Sequence, residues 1–245
     1  MDIYEEALVF HEKLKGKIEI TTKCKVNTKK DLSLAYTPGV AEPCRKIAKD
    51  IEEIYKYTGK GNYVAIVTDG SAVLGLGNIG AEASLPVMEG KSVLLKEFGN
   101  VNCVPICLTT QDEHELIMII RNLAPAFGGI LLEDISAPRC FKIEDSLQNL
   151  GIPVFHDDQH GTAIVTLAAL LNACKVVNKP LKDVKIVIFG AGAAALAITK
   201  LLLATKTWKE LSQGNQGVKE IILCDTKGPI YEGRDQLNEY KAKFA

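Results

Sequence analysis

Acidic side chains crowd the stretch FHDDQHGT, where a strand-like run passes into an alanine-rich helical pattern. Asp157 and Asp158 follow this strand directly, and Glu133 and Asp134 follow the strand-like run GGILL in the same way. The carboxyl ends of parallel strands meet at one edge of a sheet, where ligands bind. Carboxylates gathered at that edge repel one another unless a cation lies among them. Because oxygen ligands suit Mg²⁺ or Mn²⁺, the spacing predicts a divalent-metal site.

Two other interpretations apply to the same residues. Each acid taken alone is more often a helix cap or a solvated group, and Asp158 is placed to cap the helix that follows. His156 and His160 are four residues apart, the spacing of a zinc site on a helix. The residues before His156 are strand-like, so one helix is not expected to carry both histidines. His160 is instead expected to orient a neighbouring group.

A glycine-rich turn supplies a second chemical motif, in VKIVIFGAGAAALAITKLLL. Gly190 permits a tight turn, Gly192 lets a pyrophosphate approach the backbone at a helix N-terminus, and Ala195 allows close helix–strand packing. The next strand ends at Asp225, which is placed to hold ribose hydroxyls. The interval between Gly190 and Asp225 exceeds the usual ~20 residues, and the polar segment 206–217 is expected to absorb the excess. Although GxGxxA also occurs in structural turns, this context predicts dinucleotide binding.

Short apolar runs alternate with helical patterns along most of the chain, which is typical of a parallel α/β sheet. A first helix is predicted with Asp2 as its cap, Glu5 three residues on and Gly16 as its stop, and a second over residues 41–59. A polar linker, NKPLKD, predicts a domain boundary near residue 180. The predicted strands are YVAIVT, CVPICL, GGILLE, IPVFH, VKIVIF and KEIILC, and the later helices are EHELIMIIRNLAPAF, RCFKIEDSLQNLG, GTAIVTLAALLNACKVVN and AAALAITKLLLAT.

Composition limits the classes of partner and the compartment. With 29 Lys and Arg against 30 Asp and Glu, the formal net charge of −1 offers no basic excess for nucleic acid. No apolar stretch reaches the length of a membrane span, and the charged N-terminus lacks the apolar core of a signal peptide. Scattered cysteines without such a signal favour reduced thiols and a cytoplasmic location.

Taken together, the motifs resemble those of malic enzymes, specifically the small-subunit bacterial type. The resemblance implies an α/β protein with N-terminal helices and a parallel-sheet malate and metal domain (residues 1–180), followed by an incomplete Rossmann domain (residues 181–245). It also implies oxidative decarboxylation of L-malate to pyruvate and CO₂, with NAD or NADP and with Mg²⁺ or Mn²⁺. The matching segments are SLAYTPGVAEPC, VTDGSAVLGLGNIG, MEGKSVLLKEFG, ILLEDISAP, FHDDQHGTA, IVIFGAGAAALAI and CDTKGPIYEGR.

The same resemblance implies a role for each site residue. Lys91 would be the general base that takes the proton of the malate C2 hydroxyl, with a pKa lowered by burial and a nearby cation. Asp157 would pair with Lys91, and Tyr36 would protonate the enolate carbon after CO₂ leaves. The implied metal ligands are Glu133, Asp134 and Asp158.

Two departures from the family pattern affect the expected site. Ala72 stands where large-subunit relatives carry an arginine for the substrate carboxylate, so Asn78, backbone amides at residues 37–40 or a partner subunit are expected to replace it. Family members also continue well past Ala245. The sequence therefore predicts a malic enzyme truncated at its C-terminus, with little malate oxidation by the chain alone.

Assembly, activity and cofactor choice each retain alternatives. Small-subunit relatives are dimers, so a homodimer is expected, with Tyr36 or Lys91 contributed by the opposite subunit. The alternatives to malate oxidation are an inactive remnant, a dimerising fragment, or a malolactic or related decarboxylating activity. Asp225 suits the free ribose hydroxyl of NAD, whereas Lys227 would neutralise the 2′-phosphate of NADP.

Overall fold

The N-terminal region is helical, and the computed structural model describes residues 2–203 and 217–245 of the chain. Helix α1 (Ile3–Leu14) begins at a capping box in which Asp2 accepts from the backbone of Glu5 and the Glu5 side chain reaches back. Gly16 follows it with a φ of 115°. Helices α2 (Lys29–Ala35), α3 (Ala41–Lys49) and α4 (Ile54–Tyr57) complete this region, and α1, α2 and α3 contain no buried residue.

A four-stranded parallel sheet forms the centre of the N-terminal part, in the order β2-β1-β3-β4. Its two central strands, β1 and β3, are the most buried, because they carry apolar side chains on both faces, which helices cover. The register pairs Val67 with Ile106 on one side and with Leu132 on the other, which aligns the carboxyl ends of three strands. The elements are β1 (Tyr63–Thr68), α5 (Ala81–Gly99), β2 (Asn102–Cys107), α6 (Glu113–Leu123), β3 (Gly129–Leu132), α7 (Arg139–Leu147), β4 (Val154–His156) and α8 (Asp157–Val176).

A second sheet follows, in which β5 (Lys185–Phe189) and β6 (Glu220–Asp225) are parallel and β7 (Gly228–Pro229) is antiparallel to β6. Helix α9 (Ala193–Leu203) connects from β5, and the short α10 (Glu239–Ala242) lies near the end. The mixed α/β class with a parallel sheet is therefore confirmed.

One hydrophobic core joins the two parts of the chain. Ile130 and Leu132 of β3 belong to the same buried cluster as Leu196 of α9 and Leu223 of β6. A smaller cluster packs α8 against α9 through Leu167, Leu202 and their neighbours. No helix among the described residues has the length and apolarity needed to cross a membrane.

Several elements have bounds in the structure that differ from those predicted from the sequence. The helix predicted over 41–59 is interrupted, because Asp50 is extended and caps a new helical turn instead of continuing the old one. Helix α8 begins at Asp157, four residues before the predicted start. Helix α5 was not predicted, since Pro86 and Gly90 obscure its pattern. The segment 206–217, expected to absorb the long interval before Asp225, lies almost wholly outside the described residues.

The loop after β1 depends on one glycine, which provides a test of the fold. Gly70 has a φ of +66°, and a Cβ there would lie 2.1 Å from the carbonyl oxygen of Gly80. Gly151 has a similar φ of +73° but faces open space. We expect Gly151→Ala to cost about 1–2 kcal/mol from the left-handed backbone alone. Gly70→Ala should cost about 1–3 kcal/mol more because the loop must shift. Urea unfolding of both variants measures this, and equal losses would contradict the predicted collision.

Candidate active site

Three carboxylates meet at the carboxyl edge of the first sheet. Glu133 and Asp134 follow β3 directly, and Asp158 lies in the first turn of α8, which follows β4. One oxygen from each lies within 4.8 Å of the others. Both Glu133 and Asp134 are only 4% exposed. The expected meeting of acids from two strands is therefore present, because β3 and β4 are neighbours in the sheet.

The electrostatics of this trio suit a cation. Glu133 Oε2 and Asp134 Oδ2 are buried and have no hydrogen-bond partner among the described residues. Burial raises the pKa of Glu133 to about 8 and that of Asp134 to about 6. Buried charges need a partner, and hard oxygen ligands at this spacing fit Mg²⁺ or Mn²⁺.

Backbone geometry holds the trio in place. Asp134 has a φ of 54°, an uncommon conformation for a residue with a side chain and one that recurs at functional sites. Its backbone N–H donates to Asp158 Oδ2 at 3.0 Å, and its carbonyl accepts from the backbone of Ala72. Asp158 therefore bonds to a neighbouring loop, and no side chain caps the start of α8.

Lys91, on α5, connects the trio to Asp157. Its ammonium lies 2.7 Å from Asp157 Oδ2 and 3.0 Å from Glu133 Oε1. Burial alone lowers the pKa of Lys91, but its bonds with Asp157 and Glu133 outweigh burial and raise that pKa to about 12. This direction is opposite to the lowered pKa expected of a base, because two carboxylates face the ammonium. The predicted pairing of Lys91 with Asp157 agrees with the geometry.

Gly161 leaves room for this pairing. A Cβ at Gly161 would lie 2.1 Å from Asp157 Oδ1, so any side chain there would displace the carboxylate. The glycine in QHGT, which the sequence alone does not explain, therefore fixes the position of Asp157.

The two histidines of the same segment have separate environments. His156 is fully buried, and its Nε2 lies 3.8 Å from Asp158 Oδ2. His160 Nε2 lies 2.8 Å from Glu144 Oε1, and Gln159 donates to the other oxygen of Glu144. Neither histidine joins a metal-like cluster in the described part of the chain, which disfavours the zinc interpretation.

Arg139, which the sequence did not single out, connects three loops at the strand ends. Its guanidinium pairs with Asp69 at 2.6 Å and donates to Ser71 and Ser136 and to the backbone carbonyl of Gln111. Asp69 and Ser71 follow β1, Gln111 follows β2 and Ser136 follows β3. Arg139 lies in the segment SAPRC, directly after the predicted strand end, but the sequence could not show which acid it pairs with.

The other predicted residues contribute no carboxylate to the acid cluster. Tyr36 ends α2 and is 67% exposed, and no hydrogen bond joins it to Lys91 or to the acids among the described residues. The backbone N–H of Ala72 donates to the carbonyl oxygen of Asp134. The side-chain amides of Asn78 and Gln111 donate hydrogen bonds to each other. Within the described part of one copy, Tyr36 is therefore exposed and makes no bond to the candidate metal site.

The predicted dinucleotide motif folds as a strand, a turn and a helix. Gly190 has a φ of 101°, and a Cβ on Gly192 would meet only open space. The turn therefore leaves the approach to the N-terminus of α9 clear, as a pyrophosphate requires. Ala195 is a buried residue in the first turn of α9, and Asp225 ends β6.

Removing Arg139 tests its role in holding the loops. The Asp69 side chain is 0% exposed, so Arg139→Met leaves a buried carboxylate without its charge partner. Such losses typically cost about 3–5 kcal/mol in unfolding free energy. Arg45→Met, which removes an exposed pair with Glu42, is the matched control and should cost at most about 1 kcal/mol. Urea denaturation of both variants measures the difference, and similar losses would mean that Arg139 does not stabilise the loops.

Comparisons with known proteins agree with this geometry. The family model of the malic enzyme N-terminal domain matches residues 15–118, and that of the malic enzyme NAD-binding domain matches residues 159–245. A bifunctional malic/malolactic enzyme of Bacillus subtilis is 53% identical over 247 residues, covering 100% of this chain and 58% of that protein. An NAD-dependent malic enzyme of Geobacillus stearothermophilus is 54% identical, covering 94% of this chain and 46% of that protein.

Solved structures give the same result. The crystal structure of an NAD-dependent malic enzyme from Thermotoga maritima superposes with a TM-score of 0.89 at 48% identity, covering 98% of this chain and 61% of that one. Among the relatives compared by sequence, a probable NADP-dependent malic enzyme of Rickettsia prowazekii is 54% identical, but this chain spans only 31% of its length. The chain thus spans less than two thirds of these relatives. With both malic enzyme domain sequences present and relatives at about half identity along nearly its whole length, the chain belongs to the malic enzyme family.

Proposed function

We propose that this protein catalyses the oxidative decarboxylation of L-malate to pyruvate and CO₂, with NAD or NADP and a divalent cation. The observation that carries the proposal is the convergence of three carboxylates, two of them buried, and the Lys91–Asp157 pair at one strand edge. The hydroxyl and carboxylate groups of malate are suited to binding at such a site. The relatives named as malic enzymes support the same activity.

Two groups would supply chemistry that side chains lack. Mg²⁺ or Mn²⁺, held by Glu133, Asp134 and Asp158, would act as a Lewis acid that stabilises negative charge developing on malate oxygen. The dinucleotide, held at the turn of Gly190 and Gly192, would supply the hydride acceptor.

The remaining roles belong to residues of the chain. Lys91 removes the proton from the C2 hydroxyl of malate, and Asp157 fixes the position of its Nζ through the 2.7 Å contact. A cation bound by Glu133 would offset one of the two carboxylates that raise the pKa of Lys91, and so would favour the neutral amine that a base requires. Tyr36 returns a proton to C3 after CO₂ leaves, since its hydroxyl is a proton donor. Burial of the acids keeps bulk water from competing for the same groups.

A homodimer would bring Tyr36 to this chemistry. Helices α1, α2 and α3 bury none of their side chains within one copy. Such an apolar surface marks an interface. We infer that a second copy covers it and that Tyr36 completes the site of that copy, whereas Lys91 serves its own chain. The large exposed side chains include Ile3, Tyr4, Leu8, Val9, Phe10, Leu14, Ile20, Leu32, Leu34 and Tyr36.

Two functional units follow from the change of sheet between β4 and β5. We propose a substrate and metal unit over residues 1–180 and a dinucleotide-binding unit over residues 181–245. The NAD-binding family model begins at residue 159 and so includes all but the first two residues of α8. Since α8 carries Asp158 in its first turn and packs on α9, it serves both units.

A malolactic reaction, which converts malate to lactate and CO₂, is the second candidate. The bifunctional malic/malolactic relative at 53% identity favours its consideration. Incubating the purified protein with malate, Mn²⁺ and either cofactor separates the candidates, because pyruvate accumulates with reduced cofactor in one reaction and lactate in the other. Absence of both products would overturn the proposed function and favour the alternative of an inactive remnant.

Metal binding by the acid trio can be measured without turnover. We expect Mn²⁺ at about 100 times its Kd to stabilise the folded protein by about 2.7 kcal/mol. The change should disappear in Asp158→Asn and persist in Asp183→Asn, an exposed control. Calorimetric melting measures the stabilisation, and loss of the electron paramagnetic resonance signal of free Mn²⁺ measures binding independently. Equal Mn²⁺ binding by both variants would remove the trio from the metal site.

Loss of the base should leave the metal site intact. We expect Lys91→Ala to lower kcat by about 10²–10⁴-fold while Mn²⁺ binding persists. Near-normal turnover with malate would exclude Lys91 from proton transfer.

Subunit mixing tests the shared site. Mixed dimers of Tyr36→Phe and Asp158→Asn chains should regain activity, because one of the two composite sites is then whole. Mixed Lys91→Ala and Asp158→Asn chains are the matched control, and no rescue is expected since both residues act in the same chain. Failure of the first mixture, with exchange verified by mass-tagged subunits, would place Tyr36 and the acids in one chain.

A further inference from the structure

Helix α7 carries a buried carboxylate, Glu144, that the proposed chemistry does not use. The residue is only 6% exposed. Gln159 Nε2 donates to Glu144 Oε2 at 2.9 Å, and His160 Nε2 lies 2.8 Å from Glu144 Oε1. Both carboxylate oxygens therefore bond to adjacent residues of α8. Because a buried carboxylate that loses its partners is costly, these bonds fix the start of α8 against α7.

The turn that Glu144 holds also carries two acids of the candidate active site. Helix α8 begins at Asp157, and Asp158 follows it. Gln159 and His160 complete the first turn. Successive residues of a helix are rotated by roughly 100°, which places the two acids and their two neighbours on opposite sides of the turn. Glu144 therefore holds this turn from the side opposite to the carboxylates.

The start of α8 depends on side-chain contacts rather than on a cap. His156, the residue before the helix, makes no capping hydrogen bond with its side chain to any described residue. A cap normally stabilises the first helical turn, so the position of this turn depends more on its other contacts. Asp157 contacts Lys91 on one side of the turn, and Glu144 binds the other side.

Helix α7 is itself fixed to the sheet edge. Ile143 and Leu147, which flank Glu144 on the same helix, are fully buried. Arg139, the first residue of α7, pairs with Asp69 at the end of β1. Glu144 therefore joins the acids that follow β4 to a helix that is anchored where the acids of β3 leave the sheet.

We propose that Glu144 is a positioning residue that sets the places of Asp157 and Asp158 in the candidate active site. It acts through Gln159 and His160, whose side chains it binds. Displacement of Asp158 would separate the three carboxylates that meet at one cation, and displacement of Asp157 would remove the partner of the proposed base. The inference rests on the proposed function and adds a residue that sets the geometry of the same site.

The affinity for Mn²⁺ tests this role without substrate or turnover. Titration followed by the electron paramagnetic resonance signal of free Mn²⁺ gives the Kd of the folded protein. Glu144→Leu keeps the bulk of the side chain and removes both acceptors. We expect it to weaken Mn²⁺ binding by about 10-fold or more, as the loss of groups that orient metal ligands does.

A conservative variant separates hydrogen bonding from packing and charge. Glu144→Gln keeps an oxygen that accepts from Gln159 and gains an amide that donates to the neutral imidazole of His160. It should therefore restore the wild-type Kd for Mn²⁺. Asp145→Leu removes the same charge at the next, exposed position of α7 and is the matched control. It should also keep the wild-type Kd.

Thermal melting of the metal-free variants, followed by circular dichroism, distinguishes positioning from support of the fold. A residue that only supports the fold lowers the melting temperature and leaves the Kd of the folded protein unchanged. If Glu144→Leu does not fold, His160→Leu takes its place, because the His160 side chain is partly exposed. That variant removes one of the two bonds and should show part of the same loss of Mn²⁺ affinity.

Each outcome bears on a separate claim. Unchanged Mn²⁺ affinity in Glu144→Leu, or in the variant that replaces it, overturns the positioning role and leaves the proposed metal site intact. Equal losses in Glu144→Gln and Glu144→Leu also overturn it, because hydrogen bonds from the two neighbours are then not what places the acids. Absence of Mn²⁺ binding by the unmodified protein overturns the metal site itself, and with it both the inference and the metal-dependent function.

Discussion

The crowding of buried carboxylates at one sheet edge is the constraint on which the rest of the site depends. Glu133 and Asp134 leave β3 almost fully buried, and Asp158 leaves β4 close to them. Burying such charges costs free energy unless a cation or a hydrogen bond compensates each of them. Lys91 contacts one oxygen of Glu133, the backbone N–H of Asp134 donates to Asp158, and the two unpartnered oxygens fit the metal ion that we propose for this site.

The surrounding structure holds these charges at fixed positions. Helix α5 carries Lys91 to the strand edge, and Gly161 leaves the space in which Asp157 meets it. Arg139 connects the loops after the first three strands, so that the polypeptide around the site behaves as one unit. Positions held in this way are what catalysis by charge stabilisation requires, because the groups need no rearrangement during reaction.

The second sheet also carries charged groups at the carboxyl ends of its strands, but the balance of charge differs from that of the first sheet. Its terminal acid, Asp225, meets two cations of its own chain, so its charge is balanced without a ligand. The first site thus has excess negative charge and the second excess positive charge. A metal ion suits the first, and the phosphates of a dinucleotide suit the second. Both sites follow from the rule that loops at the carboxyl ends of parallel strands are free to carry function.

The sequence by itself determined the residue types, the strands and the family. Acids directly after GGILL and IPVF, and glycines directly after VKIVIF, are local patterns, and local patterns specify strand ends and turns. The tertiary structure decided which of these ends are neighbours and which charges meet. Lys91 and Asp157, Arg139 and Asp69, and Asp225 and Arg234 are paired by the fold. Helix α5 escaped prediction because packing overrode the weak propensities of Pro86 and Gly90. Tyr36 matched its family motif, yet its exposed position in one copy is a property that only the arrangement of helices in space could set.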